Sequence, residues 1–371
     1  MGTVYIVGAG ASKFAGFPLA SELLPVLRQE LVPRHEINLE VGREFVQFVD
    51  EVKSCLQELR LENRLYNNGE PDLEFVLALL DRVPSSTQDY PYPEDLLADL
   101  DDVIRALGDS LDTLRRPRIN TGGKTLITSA LLQRCNVVYR LICNGASHNL
   151  IDDSDIVMDV IHAWTNRVQP GDSIITFNWD VLNEMMLWKG GKWHYHDGYG
   201  AILNTEAQEA SAVRILKLHG SINWALRGDQ IYLDDRSSHF FGGIPDMLPV
   251  GATSYYGESL IIPSYLKNPR REGQGLDEIW TGAENALKHA TQVIVIGYSL
   301  PYADYHAREM IARSLSQNNN VASIQVVLVY DQNAFERWEE LGSKVGKHIQ
   351  RIARTFQDFI TGKCSEEIAE I

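Results

Sequence analysis

Three short apolar runs of this sequence each end in residue types that can do chemistry. The run at residues 4–7 leads into the turn Gly-Ala-Gly-Ala-Ser at 8–12, and two later runs lead into Asn178 and His219. A glycine turn between a strand and a helix presents bare backbone N–H groups that suit a phosphate or pyrophosphate. A carboxamide orients water or hydroxyl groups, and histidine is the usual general base near neutral pH. The set raises the hypothesis of a site that binds and modifies a nucleotide.

Each of these signals, taken alone, also has a structural explanation. Many strand–helix turns use two glycines simply because the backbone requires them. Asp180 follows Asn178 at a spacing that lets its carboxylate cap the next helix. A single histidine at the end of a strand, such as His219, is more often a hydrogen-bonding residue than a base. Only the occurrence of all three signals at the ends of separate strands favours a functional site.

The pattern of apolar runs predicts an α/β fold with a doubly wound, mostly parallel, Rossmann-like sheet. Five or six strands alternate with helical patterns; the strands are expected at 4–7, 173–176, 213–218, 293–296 and 325–330, with a short strand or edge at 260–263. Ligands bind beyond the carboxyl ends of the strands in such sheets. Gly297, Tyr298, Ser299 and Asp331 follow the last two strands and are expected at the same edge.

The roughly hundred residues between the first two strands are mostly helical in pattern, far more than one crossover needs. This predicts a helical insertion at 35–169 within a core formed by 1–34 and 170–332. A C-terminal helical extension is expected at 333–371. Pro25 is expected to kink or restart the first helix.

An ordinary hydride-transfer site is not expected at the glycine turn. The dinucleotide fingerprint of such enzymes needs an acidic residue that ends the second strand, about twenty residues further on. Glu36 and Glu40 lie near that distance, but neither follows a strand pattern.

Two other segments resemble functional motifs only in part. Thr-Gly-Gly-Lys-Thr at 121–125 lacks the first glycine of a P-loop and has no preceding strand, so it is assigned to a loop. His194, His196 and Asp197 are metal-ligand types without a fourth ligand at a recognisable spacing, so a lid or partner surface is expected there.

Composition restricts the class of protein. The chain has 34 basic and 50 acidic residues, a net charge of −16, which argues against binding of nucleic acid or an anionic membrane by the whole surface. No cysteine pair has C-x-x-C spacing, so neither a zinc ribbon nor another metal site is expected; the four cysteines are Cys55, Cys135, Cys143 and Cys364. No signal sequence or membrane-spanning window is present, and a soluble, cytoplasmic protein is expected.

The ordered set of motifs resembles the sirtuin-like fold, and within it the sirtuin-like NADases of bacterial antiphage defence. The matching segments are Gly8-Ala9-Gly10-Ala11-Ser12, Gly16-Phe17-Pro18, Thr176-Phe177-Asn178-Trp179-Asp180, Leu218-His219-Gly220-Ser221 and Gly297-Tyr298-Ser299-Leu300. The resemblance spans the α/β core, about residues 1–34 and 170–332.

Two features of the protein deacetylases in that family are missing. Their zinc ribbon has no counterpart, since no cysteine occurs between Cys143 and Cys364. Their glycine loop continues as G-I-P-D-F-R, whereas here Pro18 is followed by Leu-Ala-Ser at 19–21. Both missing features belong to the part of those deacetylases that binds the acylated peptide.

The resemblance implies a centre that cleaves NAD+ without a metal. Asn178 would position the water and the ribose hydroxyls, and His219 would act as base, directly or through a ribose hydroxyl. Asp180 would orient the Asn178 loop or contact the ribose. The residues implied to bind NAD+ are Gly8, Ala9, Gly10, Ala11, Ser12, Gly16, Phe17, Pro18, Thr176, Gly297, Tyr298, Ser299, Asp304 and Asp331.

Within that set the implied contacts differ. Ser12 and the amides near Ala9–Ala11 would bind the pyrophosphate, and Ser299 and Asp331 would face the adenosine half. Asp304 has two interpretations, a contact to the adenosine half or the cap of the next helix.

The function implied by the resemblance is hydrolysis of NAD+ to nicotinamide and ADP-ribose, which would deplete NAD when infection is sensed. The protein would be a homo-oligomer gated by its own assembly or by a partner, for which a HerA-type ATPase or a short Argonaute are candidates. It would meet nucleic acid only through that partner. Two alternatives stay open: an NAD-dependent protein deacylase or ADP-ribosyltransferase, and a non-catalytic module that binds NAD or ADP-ribose. The missing zinc ribbon counts against the first, and the presence of Asn178 and His219 against the second.

Overall fold

The computed structural model describes residues 2–31, 39–61, 66–67, 70–80, 102–107, 117–144, 154–193, 198–199, 212–227, 230–233, 259–262, 274–329 and 331–363. The chain divides into two compact units. The first comprises Met1–Phe17, Leu131–Ile261 and Asn268–Ile371, and the second comprises Pro18–Ala130 and Ile262–Lys267. The first unit therefore includes residues 131–169, which the sequence had placed in the helical insertion.

The strands are, in chain order, β1 (Thr3–Val7), β2 (Tyr66–Asn67), β3 (Glu70–Pro71), β4 (Ser173–Thr176), β5 (Arg214–Lys217), β6 (Gly220–Arg227), β7 (Gln230–Leu233), β8 (Ser259–Ile261), β9 (Gln292–Ile296), β10 (Ser323–Leu328) and β11 (His348–Ala353). The α-helices with named bounds are α1 (Ala20–Leu31), α2 (Leu39–Glu58), α3 (Leu73–Leu80), α4 (Pro117–Asn144), α5 (Ser154–Arg167), α6 (Leu182–Lys189), α7 (Gln274–His289), α8 (Tyr305–Ser316), α9 (Gln332–Val345) and α10 (Phe356–Thr361). A 3₁₀ helix spans Ala9–Ala15, and residues 102–107 are also helical.

The first unit is built on a six-stranded sheet in the order β11-β10-β9-β1-β4-β5, in which all neighbours are parallel. From β1 the chain adds β4 and then β5 on one side of the sheet. It then returns to the other side of β1 and adds β9, β10 and β11 in turn. This is the doubly wound order, with its topological switch point between β1 and β9. The predicted fold class is confirmed.

The core strands form because their sequences are almost continuously apolar, as strands buried on both faces require. Val4–Val7 of β1 and Val293–Ile296 of β9 are all buried. The pairing is in register at the carboxyl ends, where Val7 lies opposite both Ile296 and Thr176. The loops that follow β1, β4 and β9 therefore leave the sheet at the same level, at the edge where the sequence placed the site.

The prediction of an entirely helical segment after residue 333 is wrong. Helix α9 ends at Gly346, which has a φ of 67° that favours glycine, and the chain then forms β11 at the edge of the sheet. Only Ile349 in this strand is buried. Half of its six residues are polar, which gives little indication of a strand, and β11 forms by pairing with β10 along its length.

The short strand expected at 260–263 exists as β8, but it lies in a separate antiparallel sheet of order β7-β6-β8. The sequence did not indicate β6, which starts directly after His219. In this strand Gly220 has a φ of 76°, and a Cβ there would lie 2.0 Å from the carbonyl oxygen of Leu260. The glycine allows the chain to turn out of the main sheet immediately after the histidine.

The second unit contains α1, α2, α3 and the short strands β2 and β3, and two local predictions from the sequence are wrong in this part of the chain. Helix α1 continues through Pro25. The segment 121–125, assigned above to a loop, lies inside α4. A Cβ at Gly123 would lie 2.6 Å from the ring of Phe45, so this glycine lets α2 and α4 approach closely. Asp72 caps α3 by accepting hydrogen bonds from the N–H groups of Glu74 and Phe75.

An aromatic chain anchors the glycine turn of the first unit from behind. Tyr5 of β1 contacts Trp164 of α5, with ring centroids 5.0 Å apart, and Trp164 contacts Phe356 of α10 at 5.4 Å. Phe356 in turn lies 5.4 Å from Phe14 in the 3₁₀ helix. The C-terminal helix thus packs on the turn that follows β1.

Some predicted features fall outside the described residues, namely His194, His196 and Asp197. Across the part of the chain that the structure describes, no group of three or more His, Cys, Asp or Glu side chains is placed to hold a metal ion. No described helix is both long and apolar enough to span a membrane.

Candidate functional site

The turns that follow β1 and β9 are joined through their backbones. Gly8 N donates to Ile296 O at 3.0 Å, Gly10 N to Gly297 O at 3.1 Å, and Ala11 N to Gly8 O at 3.0 Å. The expectation that the glycine turn presents bare N–H groups is therefore wrong for Gly8, Gly10 and Ala11. These glycines serve close packing at the switch point instead.

Asn178, Ser12 and Asp180 form a hydrogen-bonded set between the ends of β1 and β4. Asn178 Nδ2 donates to Gly8 O and to Ser12 Oγ, each at 3.1 Å, and Ser12 Oγ donates to Asp180 Oδ2 at 3.0 Å. Because a backbone carbonyl can only accept, the bond to Gly8 assigns the orientation of the carboxamide. Both amide hydrogens of Asn178 are used, so Oδ1 is the atom that it can offer to a ligand or water.

Asp180 serves the structural role that the sequence left open. Its Oδ1 accepts from Leu182 N at 2.9 Å at the start of α6, and its Oδ2 holds Ser12. Burial raises the pKa of this carboxyl, while the ammonium of Lys217 acts in the opposite sense. The single hydroxyl proton of Ser12 is directed at Asp180, so in this arrangement it does not point toward a pyrophosphate.

His219 and Asp304 form a buried pair beyond β5. His219 Nε2 lies 3.3 Å from Asp304 Oδ1, and both residues are only 2% exposed. Tyr298 donates its hydroxyl proton to the other carboxylate oxygen of Asp304. Although Asp304 lies at the start of α8, its side chain makes no capping hydrogen bond. The capping interpretation is wrong for this side chain, because the carboxylate faces His219 and Tyr298. A contact of Asp304 to the adenosine half stays a prediction.

Phe177 connects the histidine to the turn after β9. Its ring stacks on Tyr298, with centroids 4.1 Å apart and planes at 12°, and its edge meets His219 at 5.1 Å. Since Phe177 directly precedes Asn178, the set around Asn178 and the pair around His219 are linked through one residue of the β4 loop. The imidazole is held by packing as well as by Asp304.

A charged pair that sequence reasoning missed lies beneath this site. Lys217 is fully buried, its Nζ lies 2.9 Å from Glu184 Oε1, and it donates to the backbone carbonyl of Asp180. Tyr199 donates to Glu184 Oε1 at 3.0 Å. Burial raises the pKa of the Glu184 carboxyl, and Lys217 opposes the shift. The available signal was a lysine between the apolar residues Leu216 and Leu218, two positions before His219.

The remaining residues predicted near the turns after β1 and β4 take structural positions. Thr176 is buried, and its Oγ1 accepts from Asn178 N at 3.1 Å. Gly16 ends the 3₁₀ helix with a φ of 76°, and Phe17 is buried. Pro18 belongs to the second unit.

The residues expected to face the adenosine half lie beyond β9 and β10. Ser299 accepts a hydrogen bond from Arg337 Nε at its carbonyl oxygen, at 2.9 Å. Asp331 is exposed, and its carboxylate caps α9 by accepting from Ala334 N at 2.9 Å. A ribose contact by Asp331 stays a prediction.

The arrangement places two side chains of different chemistry at neighbouring strand ends. His219, oriented by Asp304, has the chemistry of a general base, because the carboxylate stabilises the imidazolium that forms when a proton is taken up. Asn178 Oδ1 is an acceptor that can orient a water or a hydroxyl group. Both side chains are buried, His219 at 2% and Asn178 at 7% exposure, so bulk water is largely excluded from them.

The contact between the β1 and β9 turns predicts a large effect of a methyl group at Gly297. A Cβ there would lie 2.3 Å from Ala11 N, and the φ of 64° adds backbone strain. Gly346→Ala is the matched control, since its φ of 67° is similar but nothing lies within 4 Å of its Cβ position. We expect Gly297→Ala to lower the free energy of unfolding by about 2 kcal/mol more than the control does, measured by urea denaturation. Equal losses in the two variants would contradict the close contact.

The buried pair beneath the site predicts a second stability effect. Lys217→Met leaves the Glu184 carboxylate buried without its cation, and we expect a loss of about 3–5 kcal/mol in the free energy of unfolding. Lys344→Met, which breaks the exposed pair with Glu340, should cost about 1 kcal/mol or less. The double variant Lys217→Met/Glu184→Gln should lose less than the sum of its single variants in urea denaturation. Additive losses would show that the two side chains do not interact.

Comparison with protein-family models finds no model that matches this chain, and comparison with curated proteins finds no match either. The fold and the geometry of the described residues are therefore the basis for assigning a function.

Proposed function

We propose that this protein hydrolyses the nicotinamide–ribose bond of NAD+ and releases nicotinamide and ADP-ribose. The observation that carries the proposal is the placement of Asn178 and of the paired His219 at adjacent strand ends, those of β4 and β5, with Asn178 bound to the turn after β1. Doubly wound sheets bind their ligands at this place.

The reaction requires little more than what these residues offer. Cleavage of an N-glycosidic bond passes through an oxocarbenium-like transition state, as in glycoside hydrolysis. Nicotinamide leaves as a neutral group with the bonding electron pair, so no strong acid is needed. A water molecule adds to the anomeric carbon and must lose a proton. Alignment of the water with the ribose then supplies much of the rate enhancement.

Each residue has a defined part in this proposal. Asn178 Oδ1 accepts a hydrogen bond from the attacking water or from a ribose hydroxyl. His219 takes the proton, directly or through a ribose hydroxyl, and Asp304 stabilises the resulting imidazolium. Asp180 and Ser12 hold the Asn178 loop. Thus Asp180 is a positioning residue, consistent with its contacts to Ser12 and Leu182.

The resemblance to sirtuin-like NADases extends the proposal to a biological role. In that role the enzyme is cytoplasmic and depletes NAD during phage infection. Its activity is gated by homo-oligomer assembly or by a partner such as a HerA-type ATPase or a short Argonaute. Contact with nucleic acid is then made by the partner.

One observation favours a second candidate, a module that binds NAD or ADP-ribose without cleaving it. Both amide hydrogens of Asn178 and the hydroxyl proton of Ser12 are used within the protein. A set of polar groups that satisfies itself can serve to shape a binding site alone. The two candidates differ in whether nicotinamide is released.

The first functional prediction concerns release of nicotinamide from NAD+ by the purified protein, with and without the products of neighbouring genes. We expect His219→Ala to slow release by about 10²–10⁴-fold, as removal of a general base does, and Asn178→Ala to reduce it strongly as well. His289→Ala, at an exposed histidine in the last turn of α7, is the control and should leave the rate unchanged.

Three other results would each change the assignment. Release that persists in both variants would place the reaction elsewhere. A requirement for an acylated peptide would favour the deacylase, and binding of NAD+ without release would favour the non-catalytic module.

The second functional prediction concerns the pH dependence of the rate. Asp304→Asn removes the negative charge that favours the imidazolium form of His219. We expect kcat to fall by about tenfold or more, and the acidic limb of the pH–rate profile to move to lower pH, because the base then loses its proton more readily. A structural role alone would lower the rate without moving that limb.

A further inference from the structure

The glycine turn after β1 offers less to a phosphate than its sequence predicts. The N–H groups of Gly8, Gly10 and Ala11 donate to carbonyl oxygens, and Ser12 donates to Asp180. A dinucleotide carries negative charge on its phosphates, which a protein usually meets with N–H groups or with cations. The charge must then come from other side chains at this edge of the sheet.

Two arginines converge on one exposed aromatic ring beyond β9. The guanidinium carbon of Arg308 lies 4.5 Å from the ring centroid of Tyr302, and that of Arg337 lies 5.8 Å from it. Tyr302 is 62% exposed, one of the few large apolar or aromatic side chains among the described residues that is so open. The ring holds two cations close together at the surface.

Neither arginine has an ion-pair partner within 4 Å among the described residues, whereas several others do. Arg313, on the same helix as Arg308, pairs with Glu284, and Arg351 pairs with Glu339. Arg308 Nη1 is buried and has no hydrogen-bond acceptor in the described part of the chain. A buried cationic donor without an acceptor is costly, and an arriving anion removes that cost.

The two guanidinium groups are tied to the elements that form the candidate site. Arg337 Nε donates to Ser299 O and the adjacent Trp338 Nε1 donates to Tyr298 O, both at 2.9 Å, which holds the turn after β9. Arg308 lies one helical turn after Asp304, whose carbonyl accepts from Arg308 N at 3.1 Å. The arginines are therefore attached to the segments that carry Asp304 and Tyr298.

Burial and a neighbouring cation both act against the charged form of Arg337. Burial lowers the pKa of its guanidinium; Asp331 and Tyr302 oppose this shift, and Arg308 adds to it. The positive charge of Arg308 contributes to lowering the pKa of the Glu340 carboxyl, but the ion-pair partner of Glu340 is Lys344. An anion between the arginines would offset both the burial and the mutual repulsion.

We propose that Arg308 and Arg337 bind a phosphate group of an adenine dinucleotide, with Tyr302 as the apolar surface beside it. Guanidinium groups suit this role because they present several donors in a plane and bind phosphate oxygens in pairs. The inference rests on the proposed function, and it replaces the glycine turn with an arginine pair as the main contact to phosphate. The phosphate is either the pyrophosphate of NAD+ or the 2′-phosphate of NADP+.

The test measures ligand affinity by calorimetry with the full-length chain. Adenosine, AMP, ADP-ribose, NAD+ and NADP+ are titrated into the wild type, Arg308→Gln and Arg308→Lys. We expect Arg308→Gln to weaken ADP-ribose binding by about 10- to 100-fold, as loss of charged hydrogen bonds does, and to leave adenosine binding unchanged. Arg308→Lys keeps the charge and should fall between the two. Weakening of NADP+ alone would assign the 2′-phosphate, and weakening of NAD+ and ADP-ribose would assign the pyrophosphate.

The matched control is Arg313→Gln, which lies five residues further along α8 and is already paired with Glu284. It should bind every ligand like the wild type, and thermal unfolding should show that all variants fold. Equal affinities of Arg308→Gln and the wild type for every phosphorylated ligand would overturn the inference. So would equal weakening by Arg313→Gln, since any loss of positive charge would then suffice.

Nicotinamide release, followed in the same variants, separates this inference from the proposed function. If the wild type binds ADP-ribose through Arg308 but does not cleave NAD+, the phosphate site stands and the hydrolase fails. If the wild type cleaves NAD+ and NADP+ and Arg308→Gln cleaves both with an unchanged KM, the hydrolase stands and the phosphate site fails. A wild type that binds none of the phosphorylated ligands contradicts both.

Discussion

The described part of the first unit depends on a contact between two backbones. The turn after β1 lies directly against the turn after β9, so closely that Gly8, Gly10 and Gly297 have no room for a side chain. The contact lies at the switch point, where the two halves of the sheet diverge and an open crevice is expected. In this protein the two backbones are hydrogen-bonded to each other at the carboxyl ends of β1 and β9, and the polar groups of the site lie around that contact.

The polar residues of the site are connected to this backbone contact one after another. Asn178 binds the carbonyl oxygen of Gly8, and so the loop after β4 is held on the turn after β1. Tyr298, directly after Gly297, directs its hydroxyl at Asp304, and Asp304 faces His219. Strands β1, β4, β5 and β9 thereby contribute to one connected set. Lys217 supports it from below through the carbonyl of Asp180.

The burial of so much polarity has an energetic consequence. Hydrogen bonds inside a protein contribute little net free energy when made, but an unmade one costs the full desolvation of its group. A set such as Ser12, Asn178 and Asp180 is stable only when each member has its partners. Because unpaired buried groups are costly, the set adopts the geometry in which its members are paired. The N–H groups of the glycine turn likewise donate to backbone carbonyl oxygens.

Sequence patterns were sufficient where burial is uniform. Strands β1, β4 and β9 are apolar on both faces, so their position and their parallel arrangement could be predicted. Strand β11 could not, because an edge strand needs an apolar residue on one face only, and its pairing energy comes from β10. The segment 121–125 was assigned to a loop because its P-loop motif is incomplete and no strand precedes it. In the structure it lies inside α4, where Gly123 allows a close approach to the ring of Phe45.

The sequence by itself determined which residues lie at the carboxyl edge of the sheet, including Asn178 and His219, because strand ends can be located from local hydrophobicity. Only the tertiary structure decided what those residues contact. Side-chain partners such as Asp180 for Ser12, or Asp304 for His219, come from segments about 85 to 170 residues apart. The pairing of Lys217 with Glu184 and the approach of Arg337 to Tyr302 join residues about 35 apart, and they too depend on the tertiary structure. Local patterns carry no information on such distances, since the sheet order alone brings these segments together.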